Sequence, residues 1–230
     1  AYRDYMLNRG IPEDKVTLIP NGVDSQMFDL AADGIPIRRQ YGLQNKFVIA
    51  YTGALGLAND IGTILQTAQR LQDKPQIHFL LVGDGKERAN LEAIAEEYNL
   101  KNVTFTGALQ KADIPDILAA SDVCIATLMN IPMFKTTYPN KVFDYMAAGK
   151  PTLLGIDGVI RDVVEAAGGG IFIPPGDDEA MASAILQLYK DRSRSAEMGR
   201  SAREYVETYF DRHKHADQFA ELLEKVINKG

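Results

Sequence analysis

The chain has 230 residues, 46% of them apolar and 24% charged, with a formal net charge of −6. That composition is ordinary for a globular protein and supplies enough core for one large α/β domain, or one domain with a terminal appendage. The mild acidity and the lack of a basic run with interleaved aromatics argue against nucleic acid, and the three dispersed histidines make no metal cluster.

The first residues, AYRDYMLNRG, lack an initiator methionine and read as an amphipathic helix, so the chain is expected to be a piece of a longer protein. No signal-peptide pattern opens it, and no apolar run reaches the roughly 18–20 residues of a membrane span. VTLIP at 16–20 reads as a strand ending in the turn NGVD. Residues 30–45 are polar and show no clear period beyond a helical turn around Arg38. A rhythm then begins. KFVIAYTG is a buried strand, and Ile61, Ile64, Leu65, Ala68 and Leu71 follow at helical spacing. IHFLLVG is a second strand, with Leu91, Ile94, Ala95 and Tyr98 marking the next helix. VTFTG is a third strand; Ile114, Ile117 and Leu118 form a helical stripe introduced by Asp113. DVCIATL is a fourth strand, and the single cysteine in it, Cys124, reads as a buried residue of a protein from a reducing compartment. After a loop comes YPNKVFDYMAAGKP, a short helix. PTLLG, VIRDVVEAA and GIFIP give strand, helix, strand, and the chain is helical from Asp178 onward.

Strands alternating with helices of about 10–15 residues specify βαβ units and a mostly parallel sheet. The expected fold is α/β: a Rossmann-like, doubly wound parallel sheet with C-terminal helices. Ligands of such sheets bind outside the carboxyl ends of the strands, which directs attention to the loops at 53–59, 83–86, 107–112 and 128–140.

GALGLAND follows the first of the regular strands. Gly53 and Gly56 lack a Cβ, so a phosphate can approach the backbone there; the other reading is a tight strand-to-helix turn. In VGDGKER, Gly83 and Gly85 flank Asp84 in a turn that launches a helix. In FTGALQ, Gly107 lets a flat ring lie on the main chain, with backbone groups of Ala108 and Leu109 in reach; a plain turn is the alternative. In YPNKVFDYMAAGKP, Phe143, Met146 and Ala147 give the helix one buried face. Asn140 is the expected N-cap, Gly149 the stop, and Pro151 blocks continuation. Lys141 then falls at the first helical position, where the dipole disfavours a cation by about 0.3–1 kcal/mol. A bound phosphate would turn that misfit to advantage. Asp144, one turn in, can accept two hydrogen bonds from vicinal hydroxyls. The plain alternative is a solvated lysine and a carboxylate that complements the dipole.

In order and content these loops resemble the C-terminal, nucleotide-sugar-binding domain of GT-B glycosyltransferases, specifically retaining glycosyltransferase family 4. The residues that carry the resemblance are IPNGVD, YTGALGLAND, FLLVGDG, VTFTGAL, AASDVCI, FDYMAAGKPTL, GGGIFIPPGDDEAMASAI and MGRSAREYVETYF. The resemblance implies one half of a GT-B fold: a remnant of the linker from a missing N-terminal domain over 1–15, the donor-binding domain over 16–205 and a C-terminal helix over 206–230. It implies a nucleotide-sugar donor and no obligatory metal. The base would lie near Gly107, Ala108 and Leu109. The diphosphate would lie between the loop Gly53, Ala54, Leu55, Gly56, backed by Gly83, and the helix start at Pro139, Asn140, Lys141 and Val142. Asp144 corresponds to the second glutamate of the family's E-x7-E pattern, which binds the ribose.

Two departures stand out. The first glutamate of that pattern falls at Thr136, and the basic pair often found in the first loop falls at Ala54 and Asn59. Lys141 is then the main phosphate cation. The P-N-K-V-F-D-Y form resembles a branch that acts in surface-polysaccharide assembly with UDP-linked amino-sugar donors. The acceptor, a glycan or a lipid-linked saccharide, and the main catalytic groups would come from the missing domain. The fragment alone is expected to be inactive, and the full-length protein cytoplasmic, at most peripheral at the inner face of a membrane. His78 reads as structural, His213 and His215 as solvent-facing, and Asp177, Asp178 and Glu179 as a helix cap. Two other readings stay open: a dinucleotide-binding oxidoreductase domain, against which stands the lack of G-x-G-x-x-G, and a non-catalytic docking module.

Overall fold

A computed structural model of the chain describes residues 2–228. After α1 (Tyr2–Asn8) and α2 (Ile35–Gln40), the strands β1 (Phe47–Thr52), β2 (Ile77–Val82), β3 (Val103–Gly107), β4 (Val123–Thr127), β5 (Thr152–Gly155) and β6 (Gly170–Phe172) alternate with helices. The connecting helices are α3 (Ile61–Arg70), α4 (Arg88–Glu97), α5 (Ile114–Ala119), α6 (Asn140–Ala147) and α7 (Val159–Ala166); α8 (Asp178–Lys190), α9 (Arg192–Tyr209) and α10 (Arg212–Ile227) follow β6. The strands form one sheet of order β3-β2-β1-β4-β5-β6, every pair parallel. This is the Rossmann-like, doubly wound sheet expected from the alternation of elements.

The pleat sorts the strand residues between two layers. Phe47, Ile49, Tyr51, Ile77, Phe79, Leu81, Val123 and Ile125 pack in one core with residues of α3, α4 and α8. Ala50, Cys124, Ala126 and Leu154 face the other way, into a core shared with α6, α7 and α9. Burial on both faces is the condition of a parallel sheet. It also accounts for the near-continuous apolar strands, and for Cys124, whose thiol burial pushes up to about 12.

Three expectations are corrected. VTLIP at 16–20 forms no strand: Leu18 is exposed, and the β-bridge that follows the segment lies at Val23, which pairs with Asp211. The boundary expected between residues 205 and 206 falls inside α9; the chain breaks at Phe210 and Asp211 instead. Finally, α6 is buried over most of its circumference, through Val142, Phe143, Tyr145, Met146 and Ala147, rather than on one face. Its polar positions, Asn140, Lys141 and Asp144, are gathered on what remains.

Candidate functional site

The strand order reverses between β1 and β4, and there a doubly wound sheet opens a crevice at its carboxyl edge. The register shows the opening. β1 matches β2 over six residue pairs but β4 only at Ile49–Val123 and Ala50–Cys124. Beyond Ala50 the two strands diverge, which strips Thr52 of a ladder partner on that side. α6 fills the gap: the buried Tyr145 hydroxyl accepts the Thr52 N–H at 2.9 Å. A buried amide left unpaired costs about 1–3 kcal/mol, so this one bond fixes α6 against the crevice.

The glycine turns after β1, β2 and β3 continue the sheet as a second tier. Gly53 N–H donates to Val82 O at 2.9 Å, Leu55 N–H to Asp84 O at 2.9 Å, and Gly83 N–H to Gly107 O at 3.0 Å. The stacking is so close that a Cβ on Gly83 would stand 1.8 Å from Gly53 O. Several residues expected at the phosphate are therefore committed to the turns themselves. The amides of Gly53, Leu55 and Gly83 are spent on neighbouring turns. Leu55 and Val142 are wholly buried, and Val142 N–H is taken by Pro139 O at 3.0 Å. Ala54 and Gly53 are exposed at the mouth, with Gly56 half-buried beside them.

Asn140 is not the N-cap. The cap position belongs to Pro139, no side chain closes it, and the Asn140 side chain instead accepts from Asn21 at 3.2 Å. Lys141 thus stands second in the helix, and of the first-turn amides those of Asn140 and Lys141 have no intrahelical acceptor, Val142 N–H being taken by Pro139 O. The Lys141 side chain crosses to the β1 side. Its ammonium donates to the Tyr51 hydroxyl at 2.7 Å and to Asn59 Oδ1 at 3.1 Å, and lies 4.0 Å from the Tyr51 ring centroid. It would meet a Cβ on Gly53 at 2.8 Å. Among the described residues no carboxylate lies within ion-pair distance of it. Burial without a counter-charge pulls its pKa down to about 7.

Lys141 therefore stands beside the first glycine loop, where the expected basic pair is missing. Asn59, one of those two positions, serves as its acceptor. Tyr51 and Asn59 escaped sequence reasoning because both lie more than 80 residues from Lys141 along the chain.

Asp144 lies half-buried, one turn further along, and lines a small hollow with Val23, Phe28, Lys111, Ile114 and Arg212. Burial raises its pKa, while the charges of Lys111 and Arg212 pull the other way. Lys111 comes four residues after Gly107 in the chain, so the hollow at Asp144 borders the segment that follows the stretch expected to hold a base. Ala108 is exposed there, and Leu109 packs its side chain inward beside Val48 and Ile117. Thr136, in place of the expected glutamate, donates its hydroxyl to Met133 O at 2.9 Å and carries no charge into the site.

Residues 35–205, about three quarters of the chain, match the family described as Glycosyl transferases group 1. The chain belongs to this glycosyl transferase family. Its fold is that of a GT-B domain. Among relatives of this group 1 domain is WcaI of Escherichia coli (strain K12), named as a colanic acid biosynthesis glycosyl transferase. It is 26% identical over 220 residues, covering 93% of this chain and 52% of that protein. N-acetyl-alpha-D-glucosaminyl L-malate synthase of Bacillus anthracis is 22% identical, over 94% of this chain and 55% of its own length. The domain thus spans about half the length of these relatives. In three dimensions it superposes on HepE of Anabaena in complex with UDP, with a TM-score of 0.85 at 23% identity, covering 97% of this chain and 61% of that one.

His78 bonds Thr104 at 2.8 Å, and burial lowers its pKa to about 4. Asp177 caps α8 through Ala180 N–H at 2.8 Å. His213 is exposed, as expected, but His215 is half-buried against the Phe210 ring. A hollow of about 750 Å³ lies at the opposite edge of the sheet, beside Ser121, Lys150 and Arg192. Two of its arginines are already paired, Arg192 with Asp122 at 3.2 Å and Arg203 with Glu207 at 2.5 Å. Among the described residues no helix is long and apolar enough to cross a membrane.

Proposed function

We propose that this is the donor-binding domain of a retaining family 4 glycosyltransferase, which transfers a sugar from a UDP-linked donor to a glycan or lipid-linked acceptor in surface-polysaccharide assembly. The observation that carries the reading is Lys141: a half-buried ammonium without a carboxylate partner, at an uncapped helix start, over the first glycine turn. An uncompensated cation in that position is costly and finds its counter-charge in a ligand. A diphosphate fits, because the helix amides and dipole favour anions at the same point.

In this reading the amides of Asn140 and Lys141 and the Lys141 ammonium hold the charge that grows on the departing diphosphate, which is electrostatic stabilisation of the transition state. Asp144 receives the ribose hydroxyls, and the 107–109 backbone receives the base. The names of WcaI, which refers to colanic acid biosynthesis, and of the Bacillus synthase, which refers to an N-acetyl-alpha-D-glucosaminyl group, support the branch. The UDP in HepE supports the base. The acceptor and the catalytic groups belong to the part of the relatives' length that this chain does not cover.

A thermal-shift panel of UDP, GDP, ADP, CMP and NAD tests the reading. A ligand at a hundred times its Kd adds about 2.7 kcal/mol, which moves the midpoint of a chain this size by roughly 5–10 °C. A shift with UDP is expected. A shift with GDP or ADP instead would overturn the choice of base, a shift with NAD alone the donor reading, and no shift at all would leave a docking module.

A further inference from the structure

Arg88 opens α4 and lies across the end of β3. Its Nη1 stands 2.9 Å from where a Cβ on Gly107 would be, and its Cζ 3.5 Å, so the guanidinium takes the room that a side chain at 107 would fill. Gly107 has a φ of +77°, in the region that favours glycine. The next residue, Ala108, is exposed. The guanidinium is held by its edge: Nε donates to Glu92 at 2.8 Å and Nη1 to Asp84 at 3.3 Å. Its side chain keeps 34% of its accessible surface.

These facts separate Arg88 from Lys141. Two carboxylates neutralise Arg88, so it has little charge to offer a phosphate. About a third of its surface stays accessible, and the flat, weakly hydrated guanidinium stands beside Gly107. Guanidinium planes stack well on heteroaromatic rings. We infer that Arg88 is a stacking wall of the donor's base site, on which the nucleobase ring lies while its edge bonds the 108–109 main chain. This rests on the donor-site reading above. It makes Asp84 and Glu92 positioning residues that hold the plane in place.

The test is a titration of the unmodified chain, Arg88→Ala and Arg88→Lys with UMP and UDP, with the thermal midpoint of each ligand-free variant as the check on folding. Loss of the stacking plane is expected to weaken both nucleotides by the same factor, about five- to thirtyfold, and Arg88→Lys is expected to restore none of it. Restoration by lysine, or a loss confined to UDP, would show a charge contact with phosphate and overturn the inference. Equal affinity of all three proteins would overturn it too while leaving the donor site standing. Failure of the unmodified chain to bind either nucleotide would overturn the donor-site reading itself, and this inference with it.

Discussion

Lys141 is the residue on which the account turns. Its folded pKa, about 7, lies below its ordinary value of 10.5 because burial opposes the charge. In the ligand-free fold the unfolded chain therefore binds more protons between pH 7 and 10.5, and stability rises with pH across that window as the desolvated charge is relieved. Ligand binding runs the other way. A diphosphate favours the ammonium, so above pH 7 the amine must take up a proton as the ligand enters. UDP affinity is expected to fall as pH rises from about 7 to 9, by up to about tenfold per unit. Calorimetry at pH 8 in two buffers of different ionisation enthalpy should show net proton uptake. An affinity flat over that range would mean that Lys141 is charged throughout or does not meet the phosphate.

At the scale of the element, α6 is positioned by burial on most sides and by one polar bond into the sheet. Tyr145→Phe keeps the ring but leaves the Thr52 amide without its acceptor. The expected loss is about 1–3 kcal/mol, read as a lower urea midpoint with an unchanged slope. A midpoint equal to that of the unmodified chain would mean that the amide finds another partner and that the bond does not anchor the helix. Elements of this kind were partly legible in the sequence. The strands show as apolar runs and the helices as 3.6-residue stripes, because burial on two faces or one face imposes those patterns. Local chemistry also shows where it is local, as with Asp177 and the end of α6 at Gly149. Where a partner lies far along the chain, the signal fails. Asn140 has the chemistry of a cap yet turns to Asn21; VTLIP has the composition of a strand but no neighbour to pair with. The Tyr51–Lys141–Asn59 contact joins three elements, and nothing near Lys141 in sequence announces it.

At the scale of the molecule, the domain covers about half the length of its relatives. Around the crevice mouth Leu57, Met129 and Met133 are exposed, and the two loops that carry them are joined by Met129 N–H to Ala58 O at 3.0 Å. On this account the chain binds the donor but presents no acceptor to it. Transfer of sugar from a UDP-linked donor by this chain alone is expected to be undetectable in an assay that registers release of UDP and appearance of product. Turnover by the chain alone would contradict the proposed division of labour.

The central claim is that a diphosphate is held between the first glycine turn and the start of α6, with Lys141 as its cation. The most direct measurement is isothermal titration of UDP and uridine into the unmodified chain and into Lys141→Ala. UDP is expected to bind more tightly than uridine, the substitution to weaken UDP by about tenfold or more, the scale of one charge-assisted contact, and uridine to be unaffected. Equal UDP affinity in the two proteins, with both folded, would contradict it.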